Sequence, residues 1–148
     1  MPNPITLFTI GFTASTAEHF FERLKNHGVK KVIDTRLWPD TQLSGFARRK
    51  DLPFFLKNLS HVAYEYQPLY APSADILTDY KNKHISWQGY TTRYLALLQA
   101  RNILSFSNPD YLQNACLLCA ECTAQFCHRR LLAEYLQQHL PQLNIAHL

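Results

Sequence analysis

A chain of 148 residues, 47% hydrophobic and only 18% charged, has the length of one domain and can bury roughly two-thirds of its unfolded surface. That balance excludes a disordered tail, a collagen-like repeat and a highly charged coiled coil. Its apolar runs stay far short of the ~20 residues of a membrane span, and no basic segment followed by an apolar run opens the sequence. The expectation is one domain over residues 1–148, soluble and cytoplasmic, with no membrane partner. The formal net charge of +4 permits a phosphate-bearing partner without requiring one.

Residues 5–11, ITLFTIG, form a short apolar run of β-formers and predict a buried strand ending at Gly11. Ser15 or Thr16 caps a helix through about His27, with Phe20, Phe21 and Leu24 at helical spacing and Gly28 as its stop. Val29 to Arg36 predicts a second strand with Asp34 and Arg36 at its carboxyl end. Strand, helix and strand so close together make a βαβ unit with parallel pairing. Leu37 to Lys50 is polar, holds Pro39, Ser44 and Gly45, and predicts a long loop of the kind that often carries function. Asp51 caps a helix over Phe54 to Leu59, and Val62 to Leu69 predicts a third strand. A short helix follows over Ala74 to Lys81, and Ser86 caps a longer one from Trp87 to about Ile103. Asn114 to Ala120 reads as a buried strand, Cys127 or His128 starts a helix through His139, and Asn144 to Leu148 closes the sheet. This alternation predicts a three-layer α/β/α sandwich around a mostly parallel sheet.

In such sheets ligands bind beyond the carboxyl ends of the strands. That rim collects Thr9, Gly11 and Thr13 from the first strand, Asp34 and Arg36 from the second, and Cys119 and Glu121 from the penultimate one. The helix starting near Cys127 opens at the same rim, where its free amides, Arg129 and Arg130 favour an anion. All four cysteines fall within twelve residues, Cys116, Cys119, Cys122 and Cys127, which suggests a metal site, a reactive thiol or a cysteine-rich buried strand.

Cys119, Cys122, Cys127 and His128 are a conceivable zinc set, although adjacent residues at a helix start diverge. A phosphate-binding cysteine loop fits poorly, because from Cys122 the arginine arrives one residue late, at Arg129. In a third reading only the anion-binding geometry survives. Cys127 at a helix N-terminus then has thiolate character, and Glu121 serves as general acid or base. Cys116 reads as core. Asp34 and Arg36, two residues apart on a strand, face one side and suit either a salt bridge or a substrate. Trp38 and Phe46 in the long loop are candidates for base stacking, and His147 reads as a structural histidine.

TIGF at 9–12, DTRLWP at 34–39, CAE at 119–121 and CHR at 127–129 together resemble the DUF488 family of uncharacterised prokaryotic proteins. The stretch from Ala71 through Tyr94, with its Ala-Pro-Ser turn, resembles one branch of it. Phe12 and Thr13 depart from the family's usual His or Tyr followed by Ser. The CTAQF gap before Cys127 also lacks its usual Pro and aromatic. The resemblance implies a site built from Asp34, Arg36, Cys119, Glu121, Cys127, His128 and Arg129, and no established reaction.

The expectation is an enzyme, hydrolase or transferase, acting on a phosphate-containing small molecule or nucleic acid. Asp34, Cys119, Glu121, Cys127 and His128 form the catalytic set, and Thr9, Gly11, Arg36 and Arg129 the substrate-binding set. Which cofactor it uses is unknown from the sequence. The alternatives are a non-catalytic nucleic-acid-binding module, using Arg48, Arg49 and Lys50, and a Cys/His metal-binding protein.

Overall fold

The computed structural model describes residues 3–40, 45–121 and 124–148. Five strands form one parallel sheet: β1 (Ile5–Gly11), β2 (Lys31–Asp34), β3 (Ala63–Tyr66), β4 (Ala115–Cys119) and β5 (Leu143–His147), in the order β3-β2-β4-β1-β5. Successive residues of each strand point to opposite faces, and the two faces build separate cores. Ile5, Leu7, Ile33, Ala115 and Leu117 belong to one core, and Phe8, Ile10, Val32, Cys116 and Leu118 to the other. The central strands are apolar on both sides because helices cover both sides.

One face carries α1 (Ala17–Asn26), through Phe20, Phe21 and Leu24, and α2 (Leu52–Phe55), through Leu52. The other carries α3 (Ala74–Lys81), α4 (Trp87–Ala100), α5 (Pro109–Leu112) and α6 (His128–His139). The three-layer α/β/α arrangement expected from the sequence is the one observed, and every strand pairing is parallel. No helix among the described residues is long and apolar enough to cross a membrane.

Local chemistry sets the element ends. Thr16 caps α1 by accepting from the His19 amide at 3.1 Å, and Ser86 caps α4 from the Gly89 amide at 3.1 Å. Gly28 follows α1 at φ 70°, a backbone conformation that glycine adopts without steric cost. Helix α4 stops at Ala100, earlier than its apolar spacing predicts, and Asn102 then turns left-handed at φ 53°. Asp51 itself adopts a helical conformation and makes no cap bond, so α2 is short and passes into a π turn over Leu56–Ser60. The second strand leaves the sheet at Asp34, two residues early, because Arg36 folds back onto the Asp34 carboxylate.

Candidate functional site

Strands β1 and β4 lie side by side, with Gly11 opposite Cys119. The chain leaves β1 for α1 on one face and leaves β4 for α6 on the other. Neighbouring strands whose connections part in this way open a crevice at their carboxyl ends, where ligands bind in open α/β sheets. Closing the crevice to working distance requires Gly11. A Cβ there would collide with the Glu121 carbonyl oxygen and come within 2.5 Å of the Arg129 guanidinium.

Arg129 projects from the first turn of α6 back under this crossing and is almost fully buried. Its Nε donates to Thr9 Oγ1 at 3.2 Å, and its Nη1 donates to the Glu121 carbonyl at 2.6 Å and to Cys119 Sγ at 3.2 Å. Thr9 Oγ1 also meets His147 Nδ1 at 2.6 Å, so His147 is tied into the sheet as a structural histidine. Thr9, Gly11 and Arg129 therefore shape the floor of the crevice, and none of them lines the cavity described below.

At the end of β2, Asp34 and Arg36 form a buried bidentate pair. Arg36 Nε donates to Asp34 Oδ1 at 2.8 Å, and Nη2 donates to Oδ2 at 2.7 Å. The Arg36 amide and the Tyr64 hydroxyl donate to the same carboxylate, at 3.1 and 2.5 Å. Burial and the adjacent Asp34 charge hold the Tyr64 phenol well above its ordinary range, so it remains a donor. Asp34 is thus occupied on both oxygens. Arg36 is not: its Nη1 is buried and has no hydrogen-bond partner among the described residues.

The third component is sulfur. Cys119 ends β4 and Cys127 is the N-cap of α6, where no side chain caps the helix. Their Cα atoms are 7.4 Å apart, and the two side chains reach across the gap to meet as a disulfide. Next to Cys127, His128 Nε2 lies 2.9 Å from Thr35 Oγ1 and 3.0 Å from the Thr35 carbonyl. The Thr35 hydroxyl already donates to the Leu118 carbonyl at 2.7 Å, so Nε2 must carry the proton. Nδ1 is left as an acceptor, 4.0 Å from Cys127 Sγ. Burial pushes the His128 imidazole down to about 4, with Arg129 adding to the shift, so this histidine is neutral at pH 7. Cys116 lies in the core as expected, its thiol pushed up by burial.

A cavity of about 170 Å³ joins these groups. Arg36, Cys119, Glu121, Cys127 and His128 line it together with Trp38, Tyr80, Trp87, Tyr90 and Phe126. Of the nine residues singled out by sequence, five line the cavity, Asp34 holds one of them, and Thr9, Gly11 and Arg129 support the floor. The aromatic wall was missed, apart from Trp38. Trp87 and Tyr90 sit on the first turn of α4, a spacing that sequence alone reads as core, and Phe126 lies half-exposed just before Cys127. Phe46 instead packs among Phe12, Phe20 and Phe21. Beside the cavity, the Arg49 amide donates to the Pro39 carbonyl at 3.0 Å, and its guanidinium covers the Tyr66 ring at 4.5 Å. This ties the exposed Arg48–Lys50 turn to the segment that carries Trp38.

No group of three or more His, Cys, Asp or Glu side chains among the described residues is arranged to hold a metal ion. Cys122, the third sulfur of the zinc reading, lies outside the described residues, as does Ser44 of the long loop. A family model described as a domain of unknown function, DUF488, matches residues 16–136. No curated protein and no solved structure matches the chain.

Proposed function

The chain belongs to the DUF488 family, and from that premise we propose that it is an enzyme acting on a phosphate-containing substrate, a nucleotide or a nucleic-acid segment. The carrying observation is Arg36 Nη1, a buried donor with no partner beside an aromatic-walled cavity. Leaving such a group unpaired costs about 1–3 kcal/mol, and an anionic oxygen entering the cavity removes that cost. The uncapped N-terminus of α6 at Cys127 favours the same charge.

The size of the cavity limits what enters. A cavity of roughly 150 Å³ accommodates one benzene, so the space here suits a single ring among Trp38, Trp87, Tyr90 and Phe126. A nucleobase fits that description, with the rest of the substrate running outward past Trp38. In this reading Arg36 and the α6 N-terminus hold the phosphate, and Asp34 and Tyr64 keep Arg36 in place. Glu121, exposed at the mouth, moves the proton, and Cys127, once its bond to Cys119 is reduced, is the candidate nucleophile.

Calorimetric titration with the nucleoside 5′-monophosphates, the matching nucleosides and inorganic phosphate tests the reading. The monophosphates should bind best, and Trp38→Ala should weaken them about tenfold, in line with ~1–3 kcal/mol per stacked base. Arg36→Lys should weaken the monophosphates and leave the nucleosides unchanged. Equal binding of all three probes, or indifference to both substitutions, would sink the proposal. The exposed Arg48–Lys50 turn beside Trp38 favours one second reading, a non-catalytic nucleic-acid-binding module. In that case affinity for single strands falls steeply with salt and Glu121→Gln changes nothing.

A further inference from the structure

We propose that Cys119 and Cys127 are a reversible dithiol–disulfide pair that exchanges with low-molecular-weight disulfides, Cys127 attacking and Cys119 resolving. The inference goes beyond the phosphate reading and does not depend on it.

The placement of the two sulfurs carries it. They meet each other, and both, though almost fully buried, line the cavity and belong to neither of the two core clusters. Cys127 stands at the N-cap of a twelve-residue helix with no side-chain cap, a position that stabilises a thiolate through the helix dipole and free amides. His128, neutral at pH 7, presents its Nδ1 to the Cys127 sulfur at 4.0 Å, and the proton that Cys127 loses passes to solvent. Cys119 has its own cation, Arg129 Nη1 at 3.2 Å, buried and held by Thr9 and Glu121. Each sulfur therefore has a separate device that favours its anion, an arrangement that a purely structural cross-link does not need. Cys116, a few residues away in the core, stands at no helix start, and burial outweighs the Arg129 and Arg23 charges and pushes its thiol up.

The exchange balances with a disulfide as oxidant. The Cys127 thiolate attacks one sulfur of the small disulfide, forms a mixed disulfide and expels the first thiolate. The Cys119 thiolate then attacks the Cys127 sulfur, closes the Cys119–Cys127 bond and expels the second thiolate. The two protons from the cysteines end on the two released thiols. The chain loses two electrons and the small disulfide gains them.

The experiment uses the full chain, reduced, equilibrated with graded ratios of glutathione and glutathione disulfide, then quenched in acid, alkylated and mapped by peptide mass. The Cys119–Cys127 cross-link should rise and fall reversibly with the ratio, while Cys116 and Cys122 are recovered alkylated. In Cys119→Ser the glutathione adduct should accumulate on Cys127, and in Cys127→Ser no adduct should form on Cys119. Cys127 in the Cys119→Ser chain should also react with iodoacetamide at pH 6 at least about tenfold faster than glutathione does, as expected of a lowered thiol pKa. A wild-type chain that forms no cross-link at any ratio overturns the proposal, whatever the variants do. An adduct on Cys119 in place of Cys127, or ordinary alkylation rates, overturns it too. No nucleotide is present in these arms, so failure of the phosphate reading leaves their outcome unchanged.

Discussion

Asp34 and Arg36 form a buried pair in which each charge depends on the other for solvation. Both are almost completely buried, and removing one partner of such a pair leaves the other charge uncompensated, at about 3–5 kcal/mol. Asp34→Asn should therefore lower the urea unfolding free energy by about that amount. Tyr64→Phe, which deletes one hydrogen bond to the same carboxylate, should cost about 1–3 kcal/mol. If Asp34→Asn proves no worse than Tyr64→Phe, the pair is not the anchor described here. Gly11 poses a different problem, because the atom its Cβ would strike is the backbone carbonyl of Glu121 rather than a side chain that could rotate away. Gly11→Ala should cost about 1–3 kcal/mol, the usual range for overpacking, measured as a lower denaturant midpoint. An unchanged midpoint would mean that the 119–121 segment moves freely.

At the scale of elements, the fold was largely legible because its signals are local. Apolar runs marked β1 and β4, while Thr16, Gly28 and Ser86 marked the ends of α1 and the start of α4. The long middle helix of the sequence reading broke where Asn102 adopts a left-handed turn, a local event that apolar spacing does not register. Helix α5 escaped notice because four residues show no periodicity, although Asn108 and Pro109 mark its start. Asn108 Oδ1 accepts from the Tyr111 amide at 2.9 Å, so Asn108→Ala should cost about 0.5–2 kcal/mol in chemical unfolding. No loss would show the cap to be idle. The site was only half legible. Arg129 reads as an anion holder beside a helix start, and its Nε and Nη1 are engaged by Thr9, Cys119 and Glu121, contacts that depend on strand order. The aromatic wall draws on Trp38, α4 and the approach to α6, segments whose meeting depends on strand order, and strand order is not a local property.

For the whole molecule, the decisive fact is that β1 and β4 are neighbours whose helices cover opposite faces, because this puts the crevice, the sulfurs and the start of α6 together. His128 joins these layers: it belongs to α6, bonds to Thr35 just beyond β2, and packs its ring edge-on to Tyr94 of α4 at 5.7 Å. Its protonation is therefore coupled to global stability. Burial lowers its pKa from 6.5 to about 4 in the folded chain. As pH falls below 6.5 the unfolded chain takes up this proton and the folded chain does not, so stability is full above that pH and declines until about pH 4, where the folded form is protonated too. A shift of this size corresponds to about 3 kcal/mol. His147, lowered chiefly by burial and further by Arg129, acts in the same direction. Urea unfolding of the disulfide form at pH 7 and pH 4 should show the wild type losing about 3 kcal/mol more than His128→Asn. His128→Asn removes the imidazole and keeps a side-chain amide, so the difference between the two chains reports the histidine. Equal losses would mean that His128 is solvated or already charged in the folded protein, and the assignment of Nδ1 as the acceptor facing Cys127 would fall with it.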